Sequence, residues 1–270
     1  MHPVDTSFPP ARTFGAPGSG DGGNLPALAR HLNGLSFDND PVARLRALRH
    51  AVTGRIVFTT SFGLEDQVVA HLLHESGIDA EIVTLDTGRL FPEIYDVWAR
   101  TELRYGRRIA PFYPNHEAVE ALVARQGING FYNSVEARLG CCHVRKVEPL
   151  GRALTGAAAW IAGLRADQSQ QRGSLTFAEA DEARRLLKAN PLFDWTRDRA
   201  LAFAKSANIP LNPLHDAGFA SIGCAPCTRA LQPGEPERAG RWWWENESKK
   251  ECGLHLNHPA RAAVETAGAR

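Results

Sequence analysis

A chain of 270 residues that is 43% hydrophobic can bury one sizeable core, and its formal net charge of +1 carries no excess suited to nucleic acid or a charged membrane surface. No apolar run reaches bilayer length, and the opening "MHPVDTSFPPARTFGAPGSG" has neither an apolar signal core nor a small-residue cleavage site, so a cytoplasmic protein is expected. In that reducing compartment five cysteines point to metal binding or redox chemistry rather than to structural disulfides.

Residues 1–24 are rich in Pro, Gly and Ser and lack periodicity, which predicts a disordered tail. In "DPVARLRALRHAV", Asp40 can cap, Pro41 suits a first turn, and Val42, Leu45 and Leu48 share a face, so a helix is expected. "RIVFTT" then predicts a buried strand over Ile56 to Thr60, and "LEDQVVAHLLHES" an amphipathic helix. "AEIVTLD" reads as a second strand, "PEIYDVWARTEL" as a helix opened by Pro92, and "RRIAPFY" as a third strand. "EAVEALVARQG" gives a helix ending at Gly127. "CCHVRKVEPL" can be helical as far as Glu148, before Pro149. "AAAWIAGL" is a strand running into the polar "RADQSQQR", and "TRDRALAFAKSANI" is a helix capped by Thr196. Residues 173–195 fit neither period cleanly, and there is no internal repeat. Strands alternating with helices at this spacing predict an α/β fold, a mostly parallel sheet with flanking helices. Such sheets bind ligands beyond the carboxyl ends of their strands.

The loops at those ends are therefore the candidate site. "TTSFGLEDQ" sets Thr60, Ser61 and Gly63 at a strand-to-helix junction, where backbone amides and hydroxyls suit an anion. There is no G-x-x-x-x-G-K-[ST] and no G-x-G-x-x-G, which excludes a Walker loop and disfavours a dinucleotide fingerprint. "LDTGRLFPE" places Asp86, Thr87 and Gly88 after the second strand, suited to a ribose or an adenine edge and equally to a capped turn. "GLRADQSQQR" offers Arg165, Gln168 and Arg172, and "ERAGRWWWEN" adds Arg238 and Arg241, all able to pair with phosphate or sulfate.

The cysteines fall into an adjacent pair, Cys141-Cys142, a spaced pair, Cys224-Ala-Pro-Cys227, and a lone Cys252 in "KKECGLH". Neighbouring cysteines strain a single zinc ion, whereas a cubane offers each thiolate its own iron. Arg145 and Lys146 can offset the negative charge of such a cluster. Cys252, beside Lys249 and Lys250, has the setting of a reactive thiolate.

Taken together, "TTSFGLEDQ", "LDTGRLFPE", "CCHVRKVEPL", "WIAGLRADQSQQR", "GCAPCTRA", "ERAGRWWWEN" and "KKECGLH" resemble the assimilatory sulfonucleotide reductases, over roughly residues 40–258. The two cysteine pairs are similar to the branch that carries a [4Fe–4S] cluster and mostly prefers adenylyl sulfate (APS) over its 3′-phosphorylated form (PAPS). The resemblance implies an adenine nucleotide α-hydrolase-like fold related to the ATP pyrophosphatases, whose S-G-G-x-D-S loop is replaced here by "SFGLED". It implies a sulfonucleotide-binding domain over 25–235 and a mobile C-terminal tail over 236–270 carrying the catalytic cysteine. Cys252 would attack the sulfate sulfur of APS, AMP would leave, and reduced thioredoxin would release sulfite from the S-sulfocysteine. One [4Fe–4S] cluster per chain would sit on Cys141, Cys142, Cys224 and Cys227. Thr60, Ser61, Gly63, Asp86, Thr87, Gly88, Lys146, Arg165, Gln168, Arg172, Arg238 and Arg241 would bind substrate, and His255 would activate or orient the tail. The family's tail is often K-T-E-C-G-L-H; here Lys250 stands in place of Thr, which changes the charge beside the nucleophile. No nucleic acid or membrane partner is implied, and a dimer or tetramer of identical chains is compatible. The competing readings are a PAPS reductase, a tRNA-thiolating ATP pyrophosphatase, and a zinc-stabilised binding module.

Overall fold

The computed structural model describes residues 24–245 and 254, and its strands form a single six-stranded sheet. The tail expected over residues 1–24, save its last residue, and the segment beyond Glu245, save Leu254, lie outside the described residues. The strands are β1 (Arg55–Thr60), β2 (Glu81–Leu85), β3 (Ala110–Phe112), β4 (Ala157–Ile161), β5 (Ala178–Asp181) and β6 (Leu186–Ala189). They lie in the order β3-β2-β1-β4-β6-β5, parallel throughout except for the antiparallel β5–β6 pair. β1 pairs with β2 on one side and with β4 on the other, so the strand order reverses there. A crevice opens beyond the carboxyl ends of β1 and β4, at that switch point.

The helices are α1 (Leu25–Asn33), α2 (Pro41–Ala51), α3 (Leu64–Ser76), α4 (Pro92–Tyr105), α5 (His116–Gln126), α6 (Val135–Cys142), α7 (Glu148–Ala153) and α8 (Arg197–Ser206). The expected caps form: Asp40 accepts from the Val42 amide at 2.8 Å, and Thr196 from the Arg199 amide at 3.2 Å. The middle of β1, Ile56 to Phe58, is a continuous apolar run because both its faces are covered. Ile56 and Phe58 join the core beneath α2, α3 and α8, with Leu45, Val68 and Ala200. Val57 faces the other way, into a core of Val83, Leu150, Trp160 and Leu186. This alternation is the period of two that a strand imposes on its side chains.

The structure settles one segment that the sequence left open and corrects one expectation. Residues 173–195 supply the β5–β6 hairpin, whose strand pattern is broken by charges. Lys188 is buried directly opposite Glu179, at 3.5 Å from its carboxylate, so a core position carries an ammonium group. The helix after the adjacent cysteines also does not stop before Pro149. It runs on through a π-helical turn over His143–Val147 into α7, with Pro149 in the first turn. Within an α-helix the proline ring would strike the carbonyl four residues back; the wider turn, closed by Glu148 N–H donating to the His143 carbonyl, relieves that clash.

Candidate active site

A cavity of about 190 Å³ lies beyond the carboxyl ends of β1, β2 and β4. The loop after β1 contributes Thr60, Ser61 and Gly63, the loop after β2 contributes Thr87, and the segment after β4 contributes Gly163 and Gln168. Among the described residues, the cations Lys146, Arg172, Arg238 and Arg241 line it, together with the carboxylates Glu65, Asp66 and Glu237. Leu254 lines it as well, two residues past Cys252 in the sequence.

The turn between β1 and α3 is drawn tight by one carboxylate. Asp66 accepts from the Ser61 amide at 2.6 Å and the Ser61 hydroxyl at 2.7 Å, while Thr60 Oγ1 accepts from the Phe62 amide at 3.0 Å. Phe62 takes a left-handed backbone (φ 59), which costs a side-chain-bearing residue about 1–2 kcal/mol. Its fully buried ring, stacked on Trp98 at 5.5 Å between centroids, offsets that cost. Burial pushes the Asp66 carboxyl up to about 6, against the hydrogen bonds from Ser61 that pull it down. Gly163 leaves room for this arrangement: a Cβ there would collide with the Asp66 carboxylate and lie 3.0 Å from its amide nitrogen.

The Asp86–Gly88 turn is a junction between the cavity and the cysteines. Asp86 is buried and accepts from the Gly88 amide at 2.9 Å and from the Tyr95 hydroxyl at 3.0 Å. Gly88 has φ +69, which favours glycine, and packs beside Arg145. Only Thr87 of the three lines the cavity; its Oγ1 lies 3.3 Å from Cys224 Sγ, and its carbonyl accepts from Arg145 at 2.7 Å.

Cys141, Cys142, Cys224 and Cys227 line one small cavity of about 20 Å³ with Arg89, Phe131, Arg138, Arg145 and Lys146. α6 and its π-helical turn supply the first pair and turn Arg145 and Lys146 inward, where both are buried. Burial pushes the Cys224 thiol up, but Lys146, the Thr87 hydroxyl and Arg241 outweigh it and hold the group below its ordinary range. Burial and the neighbouring Cys224 push Cys227 up to about 11. Lys146 and Cys224 line both cavities, so the cysteine site and the larger cavity share a wall.

The structure thus gathers Thr60, Ser61, Gly63, Thr87, Lys146, Gln168, Arg172, Arg238 and Arg241 around one cavity. Asp86 and Gly88 stand just behind it. Arg165, expected to face an anion, is turned inward and fully buried. It bonds Glu65 at 2.7 Å, both oxygens of Glu237 at 2.8 Å, and Asp167, so its charge is already met by three carboxylates. Cys252 and His255 lie outside the described residues. Sequence reasoning missed Glu237, His215 and Trp160 as cavity residues. Trp160 reads as plain strand core, yet its indole N–H donates to Thr59 at 2.8 Å on the cavity side of β1.

Residues 55–230 match the family model of the phosphoadenosine phosphosulfate reductase domain. The chain belongs to this family. Among curated members of the reductase family, the adenosine 5′-phosphosulfate reductase of Agrobacterium fabrum is 55% identical over 203 residues, covering 75% of this chain and 78% of the relative. That of Sinorhizobium fredii (strain USDA 257) is 50% identical over 244 residues, covering 90% and 97%. Among solved structures, the phosphoadenylyl-sulfate reductase from Candida auris, in a phosphate complex, matches with a TM-score of 0.62 at 25% identity, covering 76% of this chain and 96% of that one. The mostly parallel sheet with flanking helices is the fold expected of a sulfonucleotide reductase.

Proposed function

We propose that the protein reduces adenylyl sulfate to sulfite and AMP, with reduced thioredoxin as electron donor and Cys252 as nucleophile, in the cytoplasmic assimilation of sulfate toward cysteine. The observation that carries this reading is the shared wall. Among the described residues four cations line a cavity of about 190 Å³ that abuts the cysteine site, and Leu254, two residues from Cys252, is part of its lining. No helix among the described residues is long and apolar enough to cross a membrane.

The reacting groups are both anionic, so the cavity must first neutralise the phosphosulfate; Lys146, Arg172, Arg238 and Arg241 do this. The Cys252 thiolate forms an S–S bond to the sulfate sulfur as the bond from that sulfur to the phosphate oxygen breaks, and AMP leaves with the electron pair. A thioredoxin thiolate then attacks the cysteine sulfur of the S-sulfocysteine and expels sulfite. The second thioredoxin thiol closes a disulfide and returns Cys252 as a thiol. Both electrons come from the dithiol. The relatives that match most of this chain at about 50% identity are named adenosine 5′-phosphosulfate reductases, which supports APS over PAPS.

The cysteine site suits a [4Fe–4S] cluster. Four thiols surround a common cavity, and Arg138, Arg145 and Lys146 face it with the charge an anionic thiolate cluster requires. Among the described residues no group of three or more His, Cys, Asp or Glu is gathered as a metal-ion site. Cys141, Cys142, Cys224 and Cys227 would hold the cluster, which when bound supplies a cross-link between α6 and the Cys224–Cys227 loop and a local charge. Lys146, shared by the two cavities, orients the sulfate end of the nucleotide.

Steady-state sulfite release with reduced thioredoxin should be faster on APS than on PAPS by kcat/KM, and Cys252→Ser should abolish it while AMP still binds. Efficient turnover by Cys252→Ser would sink the nucleophile, and preference for PAPS would sink the substrate assignment. Purified anaerobically, the protein should be brown with about four irons per chain. A colourless protein with stoichiometric zinc would rule out the cluster.

A further inference from the structure

Arg138 is a buried cation with no part in the chemistry of sulfonate transfer. It sits on α6, one turn before Cys142, and is 1% exposed. Its Nε donates to Glu245 Oε1 at 2.9 Å and its Nη2 to Glu245 Oε2 at 2.7 Å, a bidentate pair in which the Glu245 side chain is 5% exposed. The same guanidinium lies 4.9 Å from the Trp242 ring centroid and lines the small cavity with Cys142, and Arg241 lies 4.7 Å from the same indole ring. Trp242 is therefore flanked by one cation of the cysteine site and one of the nucleotide cavity.

The backbone around Glu245 is fixed from several sides. Trp242 takes a left-handed conformation (φ 42), and its amide donates to the Cys227 carbonyl at 3.1 Å. The Glu245 amide donates to the Trp242 carbonyl at 2.8 Å, and Thr228 bridges Arg241. Buried ion pairs are poor devices for stability, because desolvating two charges consumes most of what their attraction returns. They are better suited to fixing one geometry. The geometry fixed here is the point from which the chain departs toward Cys252, seven positions beyond Glu245.

We infer that Arg138 is a positioning residue: its bidentate pair with Glu245 pins the root of the Cys252 segment to the cysteine-bearing helix and so registers the nucleophile to the nucleotide. The inference rests on Cys252 being the nucleophile, as proposed for the reaction. Glu245 tests it more gently than Arg138 would, since Arg138 and not Glu245 borders the thiols.

In Glu245→Ala, iron content and AMP affinity should stay within about twofold of wild type. Sulfonation of Cys252 by APS in a single turnover should slow about 10- to 100-fold, the scale of a misplaced reacting group. Trypsin should cleave after Lys249 and Lys250 faster than in wild type. Glu245→Gln, which keeps one acceptor for Arg138, should fall between the two and covers the case in which the alanine variant does not fold. Wild-type sulfonation and cleavage rates in Glu245→Ala would overturn the inference. So would a parallel fall in iron, AMP binding and rate, which would make the pair a general folding contact. If the wild type itself forms no adduct, Cys252 is not the nucleophile, and the tryptic rate alone decides the clamp.

Discussion

Gly163 shows how much of the site hangs on single atoms. It brings the segment after β4 against the start of α3, and any side chain there would strike Asp66 and the Glu65 backbone. Gly163→Ala should destabilise the fold by about 1–3 kcal/mol, the usual range for overpacking, and weaken AMP binding; urea denaturation and calorimetry measure both. Asp66 itself makes a pH prediction. Its carboxyl rises from 3.8 to about 6 on folding, so the folded state prefers it protonated. That contribution to stability is fully present below the unfolded value and is lost as pH rises through about 6. Wild type should therefore lose stability relative to Asp66→Asn as pH rises from about 4 through about 6, with the variant showing the flatter dependence. Parallel curves would show that Asp66 does not titrate there. Spacing in the sequence was enough to group the two cysteine pairs with Lys146, which the fold does bring to one small cavity. It was not enough for Arg165, whose partners Glu65 and Glu237 lie 100 and 72 positions away in the chain, so a strand-end arginine looked like an anion contact.

At the scale of elements, the π-helical turn between α6 and α7 aims the cations. One extra residue in the turn both spares Pro149 its clash and brings Arg145 and Lys146 to the buried side. Arg145 then ties this helix to the turn after β2 through the Thr87 carbonyl. Arg145→Leu should lose about 1.5–3 kcal/mol, the range for a buried hydrogen bond to a charged group, and should lower iron content per chain. An unchanged denaturation midpoint and unchanged iron would show that Arg145 ties nothing. A proline in helical sequence signals a stop, and nothing local announces the wider turn that accommodates it. The β5–β6 hairpin was hidden for a related reason. Lys188 reads as surface, but its stem packs in the core and its ammonium meets Glu179 and the Trp160 ring, at 5.4 Å from its centroid. The β1, β2 and β4 strands were legible because burial on both faces leaves short apolar runs, Ile56 to Phe58, Ile82 to Val83 and Ala157 to Ile161.

For the whole molecule, alternation of strand and helix was enough to expect a parallel sheet with its ligand site at the strand ends. The order β3-β2-β1-β4-β6-β5 was not legible, because pairing depends on contacts between strands far apart in sequence. The fold places the three strand-end loops and the two cysteine pairs around adjoining cavities with Lys146 and Cys224 in common, an assembly that no single motif specifies. The proposed reaction divides labour among these parts: cations hold the phosphosulfate, the paired cysteines hold the wall beside it, and Cys252 carries the sulfonate. The most direct measurement is the mass of the protein after mixing with APS in the absence of thioredoxin. One sulfonate per chain is expected, mapped to the Cys252 peptide, with one AMP released. AMP release with no adduct, or an adduct on another cysteine, would contradict the proposed mechanism.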